Sequence, residues 1–343
     1  MNRRRLRLGS LALVAIISIV TTLAYVLLTR EPVHQGKPVS DWFDQFNTTN
    51  RSQAAIALRE IGPAAVPVLL KKARSNDGVS LHDKVYRTIY NKAPSGWKRR
   101  MSLPKPVDGI FDYRVANALQ LLGPAALPQL LEGMADHNSN VRLTSLRAVK
   151  LIRPKTESLV PAFTRLVNDR DGRIRVEAIL ALHGIGPAKK LAMAELIGAL
   201  NDSDRGPRPN EFCFVRAAAA LALGEIGPEA KSALPGLTRV LSATNSYTRI
   251  QAAIAIWRIA ADTNMIPTLI AELDTTPDVP TCSWILSAFG EMGPVAKPAI
   301  PAMLRKLQGS RGVSNAQGID LSAVGLRALN KIDPVAAVQA SEK

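Results

Sequence analysis

The chain has 343 residues, 47% of them apolar and only 5% aromatic, with a formal charge of +16. That length ordinarily divides into two globular domains, and so few aromatics imply a core built from Ala, Leu, Ile and Val. Its two cysteines and four scattered histidines form no Cys-x-x-Cys, His-Glu-x-x-His or Cys-x-x-Cys-His motif, which excludes the common zinc and haem-attachment patterns.

Residues Leu8 to Thr29 carry no charge, and Arg3, Arg4, Arg5 and Arg7 precede them. A helix of that length spans about 33 Å, enough for the hydrocarbon core of a bilayer. Positive charge stays on the cytoplasmic side. Residues 1–30 are therefore expected to be a basic cytoplasmic tip and an uncleaved single-pass signal anchor, with the rest exported to the periplasmic or extracytoplasmic side. A cleaved signal peptide is the alternative, but Tyr25, Val26, Leu27 and Leu28 continue the apolar run past any cleavage site. Residues 31–38 are a polar linker. Val39, Trp42, Phe43 and Phe46 then lie at helical spacing, a stripe suited to capping the open end of a first repeat.

From here one pattern recurs. Ala, a large apolar residue, another apolar residue three positions on, and then usually Gly-Pro make up each copy. It occurs as Ala57-Leu58…Ile61-Gly62-Pro63, Ala118-Leu119…Leu122-Gly123-Pro124, Ala148-Val149…Ile152-Arg153-Pro154 and Ala181-Leu182…Ile185-Gly186-Pro187. It continues as Ala222-Leu223…Ile226-Gly227-Pro228, Ala255-Ile256…Ile259-Ala260-Ala261, Ala288-Phe289…Met292-Gly293-Pro294 and Ala328-Leu329…Ile332-Asp333-Pro334. A degenerate copy with Thr88-Ile89 fits between the first two. Each unit predicts two helices. Glycine in the left-handed conformation closes one, and proline opens the next at a position where its missing N–H costs nothing. The small recurrent alanine lets neighbouring backbones approach closely. Stacked pairs bury one continuous core, so the expectation is an all-α fold, an α-solenoid (superhelix) of about eight to nine helix pairs spanning 39–336, with a tail at 337–343.

The segments from Val215 to Pro228 and from Ile174 to Leu182 resemble HEAT repeats, particularly the short bacterial kind related to phycobilisome-lyase HEAT-like repeats. The resemblance covers roughly residues 37 to 336. It implies an armadillo-like helical fold and says almost nothing about activity, since such units occur in scaffolds, transport receptors, lyases and DNA-repair enzymes. It also implies a role for the arginines twelve residues before the proline position: Arg51, Arg142, Arg175, Arg216 and Arg249. An arginine there opens the second helix of a HEAT unit and hydrogen-bonds the preceding turn. Asp136 and Asp169 are the acids placed to receive two of them.

Between Lys71 and Lys105 the chain is strongly basic. Lys71, Lys72, Arg74, Arg87, Lys92, Lys98, Arg99, Arg100 and Lys105, with Trp97 among them, form a candidate anion patch for lipid headgroups or an envelope polymer. The segment includes an irregular loop at 94–109. Two further insertions, Ser203–Asn210 and Ser310–Gly318, are candidate rim loops. Trp257, Arg258 and Trp284 are candidate partner contacts in second helices, with core packing the competing role for the tryptophans. Cys213 and Cys282 fall two repeats apart, too far for a disulfide, and are expected to be separate buried thiols. The acidic pairs Asp169/Asp171 and Asp202/Asp204 fall in turns, where helix capping is their ordinary use.

No phosphate loop, catalytic motif, cofactor motif or metal-ligand set emerges, and no small-molecule substrate is indicated. The functional expectation is a non-enzymatic, membrane-anchored scaffold that binds a protein partner on the concave face of the solenoid. The alternative is an anionic-polymer or lipid binder through residues 71–105. A HEAT-like nucleic-acid or lyase enzyme is more remote, because an exported domain rarely meets nucleic acid.

Overall fold

In the computed structural model the described residues are 31–46, 48, 50–74, 90, 93, 110–153, 157–204, 214–308 and 320–342. Several expectations fall outside them: the anchor at 8–29, the degenerate copy at Thr88-Ile89, the loop at 94–109, Cys213 and nearly all of both insertions. So do the patch residues Arg87, Lys92, Trp97, Lys98, Arg99, Arg100 and Lys105. The chain divides into two compact units, Met1–Pro154 and Lys155–Lys343.

The first unit opens with a two-residue antiparallel ladder, β1 (Val33–His34) on β2 (Lys37–Pro38), where the linker was expected. Helix α1 (Val39–Phe46) follows directly and buries Val39, Trp42, Phe43 and Phe46. It packs on α2 (Arg51–Ile61) and α3 (Val66–Arg74). The Trp42 indole donates from Nε1 to the His34 carbonyl at 3.1 Å. The stripe is thus spent on covering the first helix pair, and the short ladder fixes the angle at which α1 enters.

Among the described residues, Arg51–Arg74 is the one stretch long and apolar enough to cross a membrane by composition. It is not a continuous helix but the first helix pair, broken at Gly62, and its Ala54, Ala57, Leu58, Val66, Leu69 and Ala73 are buried in the unit's core. Helices α4 (Ile110–Gln120), α5 (Leu127–Gly133) and α6 (Ser139–Ile152) complete the unit.

The second unit holds α7 (Val160–Leu166), α8 (Gly172–Gly184), α9 (Met193–Ala199), α10 (Val215–Ile226), α11 (Leu234–Val240) and α12 (Ser246–Ala260). It continues with α13 (Met265–Thr275), α14 (Val279–Met292), α15 (Ile300–Gln308), α16 (Leu321–Ile332) and α17 (Pro334–Glu342), the last running across the boundary drawn at 336. In both units the second helices, those ending at the Gly-Pro turn, pack side by side. Thus α10 lies on α12 and α14 on α16. An apolar core from Ile250 through Phe289 and Met303 to Leu329 runs without a break from α12 to α17.

The recurrent residues explain this stacking. A Cβ built on Gly224 would lie 2.9 Å from Ala255 Cα, and one on Gly290 would lie 3.0 Å from Ala328 Cα. The repeat alanine of one second helix therefore touches the bare backbone of the previous one.

The turns differ from expectation in one respect. Gly62, Gly123, Gly227 and Gly293 have φ of 63 to 76°, but their ψ lies between −142 and −163°. This is not the left-handed helical region but an extended mirror region that only glycine occupies without strain. True left-handed conformation appears at Arg153 (φ 51°, ψ 50°) and Ala261 (φ 52°, ψ 32°), in two of the three copies that lack this glycine, whereas Asp333 in the third is extended. After the turn the chain first makes a short 3-10 run, such as Gly62–Ala65 or Gly227–Ala233, before the α-helix begins.

Candidate interaction surface

Each second helix is aimed by its entry turn, and the arginines hold those turns. Arg142 Nη1 donates to the carbonyls of Asp136 (2.9 Å) and His137 (3.0 Å). Arg175 Nη1 donates to those of Asp169 (3.0 Å) and Arg170 (3.3 Å). Arg249 Nη1 donates to those of Ala243 (2.8 Å) and Thr244 (2.9 Å). Each of these arginines grips its own turn through main-chain carbonyls, and the Asp136 and Asp169 carboxylates accept from Asn138 N and Asp171 N within the same turns. The guanidinium's remaining N–H groups reach further acids: Asp202 from Arg175 (2.6 Å) and Glu272 from Arg249 (2.6 Å). Arg216 takes Asp204 at 2.7 Å, and Arg51 lies over the Phe46 ring at 5.0 Å.

Cys282 stands at the position twelve before Pro294. Its thiol points at the equivalent carbonyl, that of Thr276, at 3.6 Å, and Lys306 from α15 donates to the same oxygen. A lysine from the neighbouring helix thus supplies the charge the missing arginine would bring. Burial pushes the Cys282 thiol up from its ordinary value, and Lys306 offsets part of the rise.

With the turns so fixed, three aromatic residues from adjacent second helices meet. Phe214 is the N-cap of α10, Tyr247 lies in the first turn of α12 and Trp284 in the second turn of α14. The Phe214 and Tyr247 rings are 5.8 Å apart and perpendicular (89°). The Tyr247 and Trp284 rings are 5.0 Å apart and tilted by 38°. Phe214 is 38% and Trp284 42% exposed, so the strip faces solvent. Phe214 adopts φ 38° and ψ 38°, a left-handed conformation that costs a non-glycine residue about 1 kcal/mol or more. Tyr247 is half-buried, and desolvation pushes its hydroxyl pKa up.

The other candidates are placed differently. Trp257 is half-buried and packs against the apolar core. Arg258 makes a two-pronged ion pair with Glu291 of the next second helix, at 2.8 to 3.0 Å. Of the basic patch, Lys72 pairs with Asp44 at 2.9 Å and lies over the Phe43 ring, and Arg74 pairs with Asp136. Lys71 is exposed beside them. Among the described residues no group of His, Cys, Asp and Glu is disposed to hold a metal ion.

Phe214 and Tyr247 escaped the sequence reading, although a signal was present. Both sit fourteen residues before the proline position of their repeats, two before Arg216 and Arg249. Aligning the copies on their starts as well as on Gly-Pro exposes the pair.

The family model for HEAT repeats matches residues 127–209, and that for the PBS lyase HEAT-like repeat matches residues 215–243. No curated protein matches the sequence. Among solved structures, Kap121p aligns with 87% of this chain at 12% identity and a TM-score of 0.53, and its D353K/E396K/D438K mutant with 86% at 14% and 0.53. The chain spans 33% of the length of either. The complex of CpcE and CpcF of phycocyanin lyase from Nostoc sp. PCC7120 aligns with 71% of this chain and 98% of its own, at 18% identity and a TM-score of 0.45. At such identities the likeness is one of fold and carries no chemistry across. The chain is an all-α solenoid in which residues 127–209 match HEAT repeats and residues 215–243 match a PBS lyase HEAT-like repeat.

Proposed function

We propose that this HEAT-repeat protein is a non-enzymatic scaffold, tethered to a membrane through residues 8–29, which holds a protein partner against the second helices between Phe214 and Met292. The exposed strip Phe214–Tyr247–Trp284 is the observation that carries the proposal. Surface aromatics that cross three consecutive repeats expose rigid contact area at low entropic cost, and Trp and Tyr dominate binding energy where proteins meet. HEAT-repeat folds commonly serve such contacts. The charged groups nearby are engaged with one another, as in Arg216–Asp204, Arg249–Glu272 and Arg258–Glu291, which favours stacking over proton transfer as the chemistry of this face.

A photo-crosslinking side chain at position 284, in native membranes, tests the reading. It should capture a defined protein that the same group at Arg239, exposed on α11, does not. Capture from both positions alike, or from neither, overturns it. Substitution separates contact from core. Trp284→Ala should lose the partner with a stability change under about 1 kcal/mol. Trp257→Ala should cost about 2 kcal/mol or more by opening the core. The tether has its own check: a reporter fused after residue 343 should be active only outside the cytoplasm.

The alternative anion site at 71–105 has less support, because Lys72 and Arg74 already have carboxylate partners. It requires steeply salt-dependent binding, abolished by charge reversal at Lys98, Arg99 and Arg100.

A further inference from the structure

The ridge of second helices continues past the aromatic strip, and what it binds there rests on the scaffold reading above. Trp284, Ser287 and Glu291 follow one another along one face of α14, at i, i+3 and i+7. Val324, Arg327 and Lys331 occupy the matching repeat positions on α16. Between the two rows lies a hollow of about 220 Å³, with Gly290 in its wall. The Gly290 backbone comes so near α16 that a Cβ there would lie 3.0 Å from Ala328 Cα, so no side chain fills the space from that position.

The charge of this hollow is one-sided. In the row three residues before the proline position, Glu225 binds His183 and Lys189, and Glu291 binds Arg258 in a two-pronged ion pair. Lys331 is the last member of that row and, among the described residues, has no hydrogen-bond or ion-pair partner. Arg327 makes one hydrogen bond, from Nε to the Ala323 carbonyl at 3.1 Å, and no ion pair among the described residues. Both cations are exposed. Like charges one turn apart weaken a helix slightly, so α16 itself gains nothing from holding them together. Glu291 also lines the hollow, but Arg258 already neutralises it, so Arg258, Arg327 and Lys331 meet a single acid. Ser287 adds a neutral hydroxyl to the wall.

We infer that the hollow receives a carboxylate side chain from an acidic segment of the partner, held by Arg327 and Lys331 next to the Trp284 ring. An ionised carboxylate offers two acceptor oxygens and no donor. The free Nη groups of the guanidinium and the ammonium of Lys331 supply charge-assisted donors to it. Protein partners match opposite potentials across their contact in this way. From Trp284 to Glu291 α14 rises about 10 Å, so about three extended residues of one segment reach from the ring to the cations. An anionic membrane surface, another common ligand of neighbouring cations, is flat and gains by engaging many basic groups at once. Here two cations stand in a recess, and the nearby charges on the ridge are spent on one another.

The test uses the full chain in nanodiscs of zwitterionic phosphatidylcholine, titrated calorimetrically with an acetylated hexaglutamate peptide, a glycine–serine peptide of equal length and inorganic phosphate. Hexaglutamate should bind saturably and the other two should not. Its affinity should fall several-fold as salt is raised. Arg327→Glu and Lys331→Glu should each weaken it about tenfold at low salt, with the fold intact by circular dichroism. Arg239→Glu should leave it unchanged, as should charge reversal at Lys98, Arg99 and Arg100, which disarms the basic segment of the alternative reading. Absence of saturable hexaglutamate binding, equal binding by wild type and the Arg327→Glu/Lys331→Glu double variant, or phosphate binding as tight as that of the peptide each overturns the inference. So does cosedimentation of the nanodiscs with phosphatidylglycerol vesicles that the double variant loses, because it gives the two cations to a lipid surface. A crosslinking group at position 284 that captures the same protein with and without the double variant sinks the acidic segment and leaves the scaffold standing.

Discussion

At the scale of single residues, the ladder arginine is a fastener for a bent backbone, and what it holds is independent of the side chains in the turn. Ala243 and Thr244 offer only carbonyls, yet Arg249 binds them as Arg175 binds Asp169 and Arg170. Arg249→Ala frees two carbonyls and strands Glu272, which is 7% exposed, without its cation. Breaking one partner out of a fully buried pair costs about 3–5 kcal/mol. Because the Arg249 side chain is 29% exposed, solvent screens part of that, and about 2 kcal/mol is expected from denaturant unfolding. A loss below half a kcal/mol would show that the turn holds itself. Cys282 gives the complementary case. Burial raises its pKa, so the folded state holds the thiol proton more tightly than the unfolded state does. Its contribution to stability is full below the ordinary thiol value of 9.0 and is lost as pH rises through the raised value. Iodoacetamide at pH 8 should therefore leave Cys282 unmodified in the folded protein and label it in urea. Rapid labelling of the native protein would contradict this.

At the scale of helices, packing was legible where the sequence repeats and opaque where it does not. Ala-x-x-x-(Ile or Met)-Gly-Pro announced a helix, a turn and a second helix, and the structure has them at 222–228 and 288–294. Trp42, Phe43 and Phe46 announced a buried stripe, and α1 buries them. The glycine ψ angles were not legible, since a Gly-Pro pair is compatible with either positive-φ region. Nor was the meeting of Trp284 with Phe214 and Tyr247, since those two share one register of the repeat and Trp284 sits four positions later in its own copy. The close approach of second helices yields a sharp expectation. In an isolated helix Gly224→Ala would gain about 0.5–1 kcal/mol. Here the new methyl would sit 2.9 Å from Ala255 Cα, and backbone cannot yield as a side chain can. Overpacking costs about 1–3 kcal/mol, so the clash wins. The melting temperature should fall by a few degrees. A rise would mean that α10 and α12 are free to move apart.

At the scale of the molecule, each unit's stability should come from its own stacked pairs. In repeat architectures it is a sum of repeat terms and nearest-neighbour interfaces, with no distant contacts to complete a core. Residues 155–343 contain one apolar core running from α12 to α17, second-helix contacts from α8 through α10 to α12, and the whole aromatic strip. The ion pairs His183–Glu225, Lys189–Glu225, Arg258–Glu291 and Arg305–Asp274 all close within the same span. A fragment of residues 155–343 should therefore fold alone, with a helical circular dichroism spectrum, a cooperative urea transition and no binding of hydrophobic dye. Because the strip lies wholly inside the fragment, a photo-crosslinking side chain at position 284 should capture the same protein in the fragment as in the full chain. A fragment that is helical but binds dye and melts without cooperativity would mean that this unit borrows its packing from outside. A fragment that folds well and loses that capture would mean instead that residues before 155 contribute to holding the partner.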